Sequence, residues 1–169
     1  ERIRLAFWGF IRDESLNKKL IERIAADDRF ELHYYGREQR VALSLKAHAA
    51  QCGATIIYFH GEYQATDRYT FARNTDLIHN LYDDANAMLA MGNKYYDGVV
   101  FRLPQLCIPA SFMGDKATAS GVGILCTPYD EDFCDTVYAY YHGYDRVAFS
   151  NACDAELETI MQEYQQGCE

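Results

Sequence analysis

The sequence lacks several features that would assign its 169 residues to a common class at once. It has no apolar run close to the roughly 20 residues that a membrane-spanning helix needs, and no internal repeat, low-complexity tract or linker. It is poor in positive charge, with 16 Lys and Arg against 25 Asp and Glu and a formal net charge of −9. A general surface for nucleic acid or acidic membranes would need a basic face. Any phosphate site must therefore be a local cationic pocket.

Metal-ligand spacing is also absent. The six cysteines include no Cys-x-x-Cys and fall at irregular positions, namely Cys52, Cys107, Cys126, Cys134, Cys153 and Cys168. Cys107 and Cys126 lie in apolar runs, where a thiol packs as a small hydrophobic group. The chain is also too long for a small secreted disulfide scaffold. We expect reduced, structural cysteines and a cytoplasmic protein. The histidines show no metal-ligand spacing either, so no metal is expected.

The residues that are present indicate a packed globule. Hydrophobic residues make up 49% and aromatic residues 14% of the chain, and this length favours one domain over residues 1–169. The first residue, Glu1, is not a methionine, and we expect the sequence to be a fragment of a longer protein.

Short apolar runs alternate with helical patterns along the chain. Leu16, Leu20 and Ile24 share one helical face, with Asp13 or Ser15 as the N-cap. Strands are predicted at residues 3–8, 30–35, 55–60, 76–82, 106–108 and 122–126. Further helices are predicted near residues 41–53 and 67–73, from Asn93, and at 131–141 and 154–165, with a loop containing Gly114. This alternation predicts an α/β fold with a doubly wound, mostly parallel sheet of about six strands.

Ligands of such sheets bind beyond the carboxyl ends of the strands. The loops at that edge carry Arg12, Arg37, Glu62, Tyr82, Asp84, Asn86, Asn93, Lys94 and Asp97. Tyr63 and Tyr82 are candidates for stacking on a nucleobase. His60 and His79 also close predicted strands, although a packed histidine is the simpler interpretation of each.

The best pair among these residues is Lys94 with Asp97. We expect Asn93 and Lys94 to open a helix, with Asp97 in its first turn. Unpaired N–H groups at a helix start hold anions. The lysine would neutralise a phosphate, and the carboxylate would bind a diol such as ribose. The alternative is a solvated helix start whose acid complements the helix dipole.

At this point the sequence resembles a family. NKYYDGVVFRLP, residues 93–104, is similar to the Asn-Lys, acidic residue, glycine and proline signature of GT-B glycosyltransferases. Other segments resemble the rest of the C-terminal, sugar-nucleotide-binding lobe and keep its order. They are FWGFIRDESLNKKLIERI, FELHYYGRE, TIIYFHGEY and SGVGILCTPYDEDFCDTVYAY.

The resemblance implies a Rossmann-like donor-binding domain. It places Asp97 on the ribose, Lys94 of the Asn93-Lys94 pair on phosphate, and Arg12 on the diphosphate. An ordinary loop arginine paired with Asp13 or Glu14 is an equal alternative for Arg12. The family more often has glutamate at position 97, and its frequent second glutamate falls on Leu89. Asn86 or Asp84 would contact the sugar instead. No catalytic residue is assigned.

The implied reaction moves a sugar from a nucleoside diphosphate to an acceptor hydroxyl, with a lean toward retention of configuration. The acceptor would be a glycan or lipid-linked sugar held by an N-terminal lobe, as in surface or capsular polysaccharide assembly. No cofactor is expected. The full-length protein would be cytoplasmic, with room for peripheral association at the inner face of the membrane. The isolated domain would bind nucleotide but turn over poorly.

Two other functions stay open. The first is a non-catalytic α/β module that binds a nucleotide or a protein partner. The second is a sugar-nucleotide oxidoreductase or epimerase. Because no Gly-x-Gly-x-x-Gly follows the first strand, nicotinamide chemistry is disfavoured, and this second function with it. The run Gly121-Val122-Gly123 fits a tight turn as well as a phosphate loop.

Overall fold

The computed structural model describes residues 1–82 and 91–167, without the side chains of residues 91–93. Its centre is a six-stranded sheet in the order β3-β2-β1-β4-β5-β6, in which every paired neighbour is parallel. The predicted α/β fold with a doubly wound sheet is confirmed. The strand order reverses between β1 and β4, so their carboxyl ends form the crevice where such sheets bind ligands.

The strands are β1 Ile3–Trp8, β2 Phe30–Tyr35, β3 Ile57–Gly61, β4 Leu77–Asn80, β5 Gln105–Cys107 and β6 Gly123–Leu125. The helices of the described residues are α1 Glu14–Ala25, α2 Arg40–Gln51, α3 Arg68–Arg73, α4 Met91–Val100, α5 Phe112–Ala119, α6 Phe133–Gly143 and α7 Arg146–Gly167. A 3-10 turn, Ala65–Asp67, leads into α3.

Side-chain alternation places two apolar layers on the sheet. Leu5 and Phe7 of β1 pack with α1, α2 and α6, whereas Ala6 and Trp8 face the opposite layer. That second layer contains α3, α4, α5 and α7. The β1 and β2 bounds agree with the sequence prediction because each is an uninterrupted run that pairs along its full length, from Ile3 with Phe30 to Trp8 with Tyr35.

The N-cap of α1 is Asp13, whose Oδ1 accepts a hydrogen bond from the Leu16 N–H at 3.0 Å. This confirms one of the two capping residues predicted from the sequence. The cap satisfies a backbone donor that the helix itself leaves unpaired.

The predicted loop around Gly114 is wrong, because this residue lies inside α5. The Ser111 side chain caps that helix by accepting from the Gly114 N–H at 3.0 Å. A Cβ on Gly114 would come within 2.6 Å of Leu125 Cδ2 and 2.7 Å of the Ile108 carbonyl oxygen. Glycine therefore serves close helix–sheet packing here, and does not break the helix.

Two other helix boundaries differ from the prediction. Helix α4 already includes Met91, so Asn93 and Lys94 lie within the helix and Asp97 lies beyond its first turn. Helix α7 runs without interruption from Arg146, whereas the sequence predicted this helix only at residues 154–165. Its early residues Phe149 and Cys153 are buried against α4 and α5, and this packing extends the helix toward its N-terminus.

The five cysteines in the described part of the chain are free, and four of them are buried. The expected packing of Cys107 and Cys126 is confirmed. Among these residues, no helix combines the length and the apolar character that crossing a membrane would require.

Candidate functional site

The candidate site lies where β1 and β4 end. Gly9 follows β1, and Tyr82 follows β4 after Leu81. Helix α4 is anchored to the sheet by a buried amide pair, Asn80 and Gln105. Asn80 Nδ2 donates to Gln105 Oε1 at 2.7 Å, and Gln105 Nε2 donates to the Tyr95 carbonyl at 3.0 Å. These bonds fix the part of α4 that carries the functional side chains.

Lys94 extends from α4 to the end of β1. Its Nζ lies 4.9 Å from the centre of the Phe7 ring. A Cβ built on Gly9 would fall 1.7 Å from the same Nζ, and Gly9 has a φ of 137°, where side chains are disfavoured. Gly9 therefore leaves room for the ammonium directly against the backbone. Burial lowers the pKa of Lys94 from 10.5 to about 8, although Asp97 partly offsets this.

Asp97 is held by an arginine that the sequence reasoning missed. Arg68 Nη1 donates to Asp97 Oδ1 at 2.8 Å, and the Asp97 side chain is only 13% exposed. Burial raises the pKa of Asp97, while Arg68 and Lys94 lower it and so favour the carboxylate. One carboxylate therefore lies between two cationic side chains, from α3 and α4.

Arg68 was missed because residues 67–73 were assigned to a short helix, without regard to its position after β3. The rule that ligands bind beyond the carboxyl ends of strands did select the loop containing Glu62. The same rule would have selected Arg68 if the start of α3 had been counted as part of the connection that follows β3. The pairing with Asp97, 29 residues away, has no local sequence signal.

Tyr82 contributes a buried hydroxyl to the same edge. Its ring lies 6.0 Å from Phe7, and its OH has no hydrogen-bond partner among the described residues. Burial raises the pKa of Tyr82, whereas the nearby Arg12 lowers it. A buried hydroxyl without a partner carries a desolvation cost that a ligand could relieve. Tyr82 therefore offers a ligand a hydroxyl group for hydrogen bonding as well as a ring for stacking.

Arg12 and Tyr63 complete the described part of the site. Arg12 is exposed, and its guanidinium lies 5.6 Å from the Phe10 ring centre. In the described residues no ion pair joins it to Asp13 or Glu14, so the pairing of the ordinary-loop alternative is not seen, and the role of Arg12 on the diphosphate stays a prediction. Tyr63 is half-buried against Phe71, and burial followed by the charge of Asp97 raises its pKa.

The structure thus brings together Lys94, Asp97, Arg12 and Tyr82, as the sequence predicted. Asp84 and Asn86 lie outside the described residues, as does the side chain of Asn93. The residues directly before Met91 lie outside the described part of the chain, so the anion site expected at the start of α4 stays a prediction.

His79 lies behind the site as a packed histidine. Its Nε2 donates to Asn17 Oδ1 at 2.8 Å, and its Nδ1 accepts from the Leu81 N–H at 3.0 Å. Both ring nitrogens are used, and burial lowers the pKa of His79 to about 3. This neutral ring fixes the strand end from which Tyr82 extends.

The run Gly121-Val122-Gly123 leads into β6, the strand at one side of the sheet, which begins at Gly123. Gly121 has a φ of 74° in the turn, and a Cβ on Gly123 would lie 2.5 Å from the Gln105 carbonyl oxygen. The tight-turn interpretation is therefore confirmed.

Within residues 1–82 and 91–167, no group of three or more His, Cys, Asp or Glu side chains is placed to hold a metal ion. The side chains of the candidate site offer cations for an anionic group, a carboxylate for hydroxyl groups, and tyrosine rings for a flat ligand.

No protein-family model and no curated protein matches this sequence. Solved structures, by contrast, match nearly all of it. A glycosyltransferase from Rickettsia africae is 13% identical with a TM-score of 0.73, and the match covers 96% of this chain and 43% of that one. Anabaena Alr3699/HepE, in complex with UDP and glucose, is 14% identical with a TM-score of 0.72, covering 99% and 48%.

A more distant match is the UDP-GlcNAc 2-epimerase from Neisseria meningitidis bound to UDP-GlcNAc. It is 11% identical with a TM-score of 0.59, covering 95% of this chain and 44% of that one. The chain spans less than half the length of each of these three proteins. Its fold is that of a lobe of GT-B glycosyltransferases and is consistent with their C-terminal domain.

Proposed function

We propose that this domain binds a nucleoside-diphosphate sugar and forms the donor site of a glycosyltransferase. The observation that carries the proposal is the Lys94 ammonium, which lies against Gly9 where the strand order reverses, beside the carboxylate of Asp97. A cation and a hydroxyl acceptor at this position match the phosphate and ribose of a nucleotide. The solved structures of the same fold that hold UDP or UDP-GlcNAc support the choice of ligand.

Each site residue has a role in this proposal. Lys94 and Arg12 bind the diphosphate and stabilise the negative charge that grows on it as the sugar departs. Asp97 accepts hydrogen bonds from ribose hydroxyls through the oxygen that Arg68 leaves free. Tyr82 donates its buried hydroxyl or stacks on the base, and Tyr63 lies on the same side as Asp97. Asn86 or Asp84 contacts the sugar.

The complete reaction would need a second lobe. Because the chain spans less than half of the matching proteins, we assign the acceptor, a glycan or lipid-linked sugar, to another part of a longer protein. A role in surface or capsular polysaccharide assembly follows from the sequence resemblance. The 169 residues should bind nucleotide without transferring sugar at an appreciable rate.

A titration with UDP, GDP and ADP tests the donor site. At least one nucleotide should bind and raise the melting temperature, and Lys94→Ala should remove that binding. Lys46→Ala is the matched control, because Lys46 lies on the surface and pairs with Glu38 at 3.0 Å. Full affinity in Lys94→Ala would place the nucleotide elsewhere. Failure of all three nucleotides would favour the non-catalytic interaction module.

Epimerisation is the second candidate, because an epimerase bound to UDP-GlcNAc has the same fold. The absent dinucleotide fingerprint disfavours an epimerase at the level of sequence, whereas the fold match to an epimerase bound to UDP-GlcNAc favours testing it. An assay of the full-length protein with UDP-GlcNAc and an acceptor distinguishes sugar transfer from epimerisation. Release of UDP with a glycosylated acceptor supports transfer, and a changed sugar configuration without acceptor supports epimerisation.

A further inference from the structure

The sheet face that bears α3 also carries a pair of histidines outside the candidate site. His33 of β2 and His60 of β3 lie on neighbouring parallel strands, 27 residues apart in sequence. His33 Nδ1 is 2.8 Å from His60 Nε2, and the two rings are within 5° of parallel. No spacing rule connects them, and only strand pairing brings them together.

Strand alternation places His60 on the same face as His33, because His60 lies two residues after Tyr58, which pairs with His33. Tyr34 pairs with Phe59 and Tyr35 pairs with Gly61, so His60 is an extra residue in β3. Gly61 has a φ of 81°, which glycine accepts without strain. This β-bulge shifts the pairing of the residues that follow His60 and leaves His60 on the face that alternation gives it, where its side chain is exposed.

A carboxylate holds the far side of His33. Glu31 Oε1 is 2.9 Å from His33 Nε2, and their side chains are 20% and 12% exposed. In neutral His33, Nε2 carries the hydrogen and donates to Glu31, which leaves the Nδ1 lone pair facing His60. A histidine whose second nitrogen donates to a carboxylate is the usual arrangement of a metal-ligating imidazole.

The pair also has the spacing of two adjacent metal ligands. Two nitrogens each about 2.0 Å from an ion, at a right angle, are about 2.8 Å apart. Right-angle coordination by nitrogen and oxygen ligands is typical of Cu²⁺ and Ni²⁺. We propose that His33 and His60 form a two-nitrogen site for such an ion, with Glu31 orienting His33 and water filling the open positions.

A change of tautomer in His60 allows both histidines to bind the ion. The hydrogen on His60 Nε2 moves to Nδ1 of the same ring, so both imidazoles bind the ion as neutral ligands through the nitrogens that now face each other. The exposed His60 ring turns to aim its lone pair at the ion.

Other charged and titratable groups share this face. Arg4 of β1 pairs with Asp76 at 3.0 Å, and Tyr35 and Tyr58 stack on His33 at 6.1 Å and 4.7 Å between ring centres. The positive charge of Arg4 is thus paired and does not repel an incoming ion.

Calorimetric titration of the whole domain with NiCl₂ at pH 7.5 tests the site. One Ni²⁺ should bind per chain, and His33→Gln and His60→Gln should each abolish that binding. Glu31→Gln should weaken it by about tenfold or more. His48→Gln is the matched control, because His48 also pairs with a carboxylate, Glu22 at 3.2 Å, but has no second histidine. It should bind like the wild type.

Each outcome decides the question. Equal affinity in all variants, or loss in His48→Gln, would overturn the proposal, as would full binding in His60→Gln. Because His60 is exposed, His60→Gln should fold normally and remains decisive if His33→Gln is unstable. A melting curve and far-UV circular dichroism of each variant establish that folding is unchanged.

Discussion

Nucleotide affinity should depend on pH through Lys94. Burial lowers the pKa of this lysine to about 8 in the protein without ligand. A change from pH 7 to pH 9 therefore removes most of the charge of Lys94 in the free protein. With that pKa, the protonated fraction falls from about 0.9 to about 0.1. If only the ammonium form binds the diphosphate, affinity for UDP should fall about tenfold over this range.

The sign follows from the two protonation states. A bound diphosphate stabilises the ammonium and raises the pKa of Lys94, so binding takes up a proton above pH 8. The second ionisation of a phosphate group has a pKa near 6, so the nucleotide itself stays fully charged between pH 7 and pH 9. The lysine is thus the main source of the expected slope.

Isothermal titration of UDP at pH 7, 8 and 9 measures this effect. Repeating the pH 9 titration in buffers of different ionisation enthalpy gives the number of protons taken up, which should approach one. Lys94→Met should bind weakly at every pH and show no slope. An affinity that is equal at pH 7 and pH 9, without proton uptake, would refute the assignment of Lys94 to the diphosphate.

Three further substitutions test the site and its scaffold. Gly9→Ala should abolish UDP binding, measured by calorimetry, because its Cβ would occupy the position of the buried ammonium, 1.7 Å from Nζ. Arg68→Ala should weaken UDP binding by about tenfold, since the carboxylate loses a charge-assisted bond. It should also lower the preference for UDP over 2′-deoxy-UDP. Ala110→Gly should stabilise the domain by roughly 1 kcal/mol in urea unfolding, because Ala110 has a φ of 62° on an exposed loop.

Matched controls separate these effects from general damage. Gly53→Ala introduces a side chain at a φ of 66° with open space around it, so it should cost stability and leave UDP affinity unchanged. Loss of binding in this variant would remove the argument from Gly9. Ala47→Gly, in the exposed interior of α2, should destabilise by roughly 1 kcal/mol, opposite in sign to Ala110→Gly. Destabilisation by Ala110→Gly would show that its backbone is unstrained.

The structure differs from the sequence prediction where packing outweighs local preference. Gly114 predicts a loop, yet Ser111 caps α5 and the missing side chain lets the helix lie close to Ile108 and Leu125. Nothing in the sequence indicates an unusual backbone at Arg102, yet this residue adopts a left-handed conformation with a φ of 55° after α4. Its guanidinium bonds the Ser150 carbonyl at 2.9 Å in α7, a partner that local sequence does not reveal.

The sequence by itself determined the elements whose signals are local. Continuous apolar runs define β1 and β2, a side-chain oxygen before an amphipathic segment defines the start of α1, and strand–helix alternation defines the parallel sheet. The sequence also predicted that Lys94 and Asp97 lie on one helix near the carboxyl ends of the strands. This was possible because the ligand-binding edge of a parallel sheet follows from the direction of its strands.

Only the tertiary structure decided which distant residues meet. Arg68 reaches Asp97 because the connection after β3 crosses toward α4, and His60 reaches His33 because the register of β2 and β3 places both side chains on one face of the sheet. Contacts of this kind depend on strand register and on packing between separate elements. These are properties of the folded chain, which no short stretch of sequence encodes.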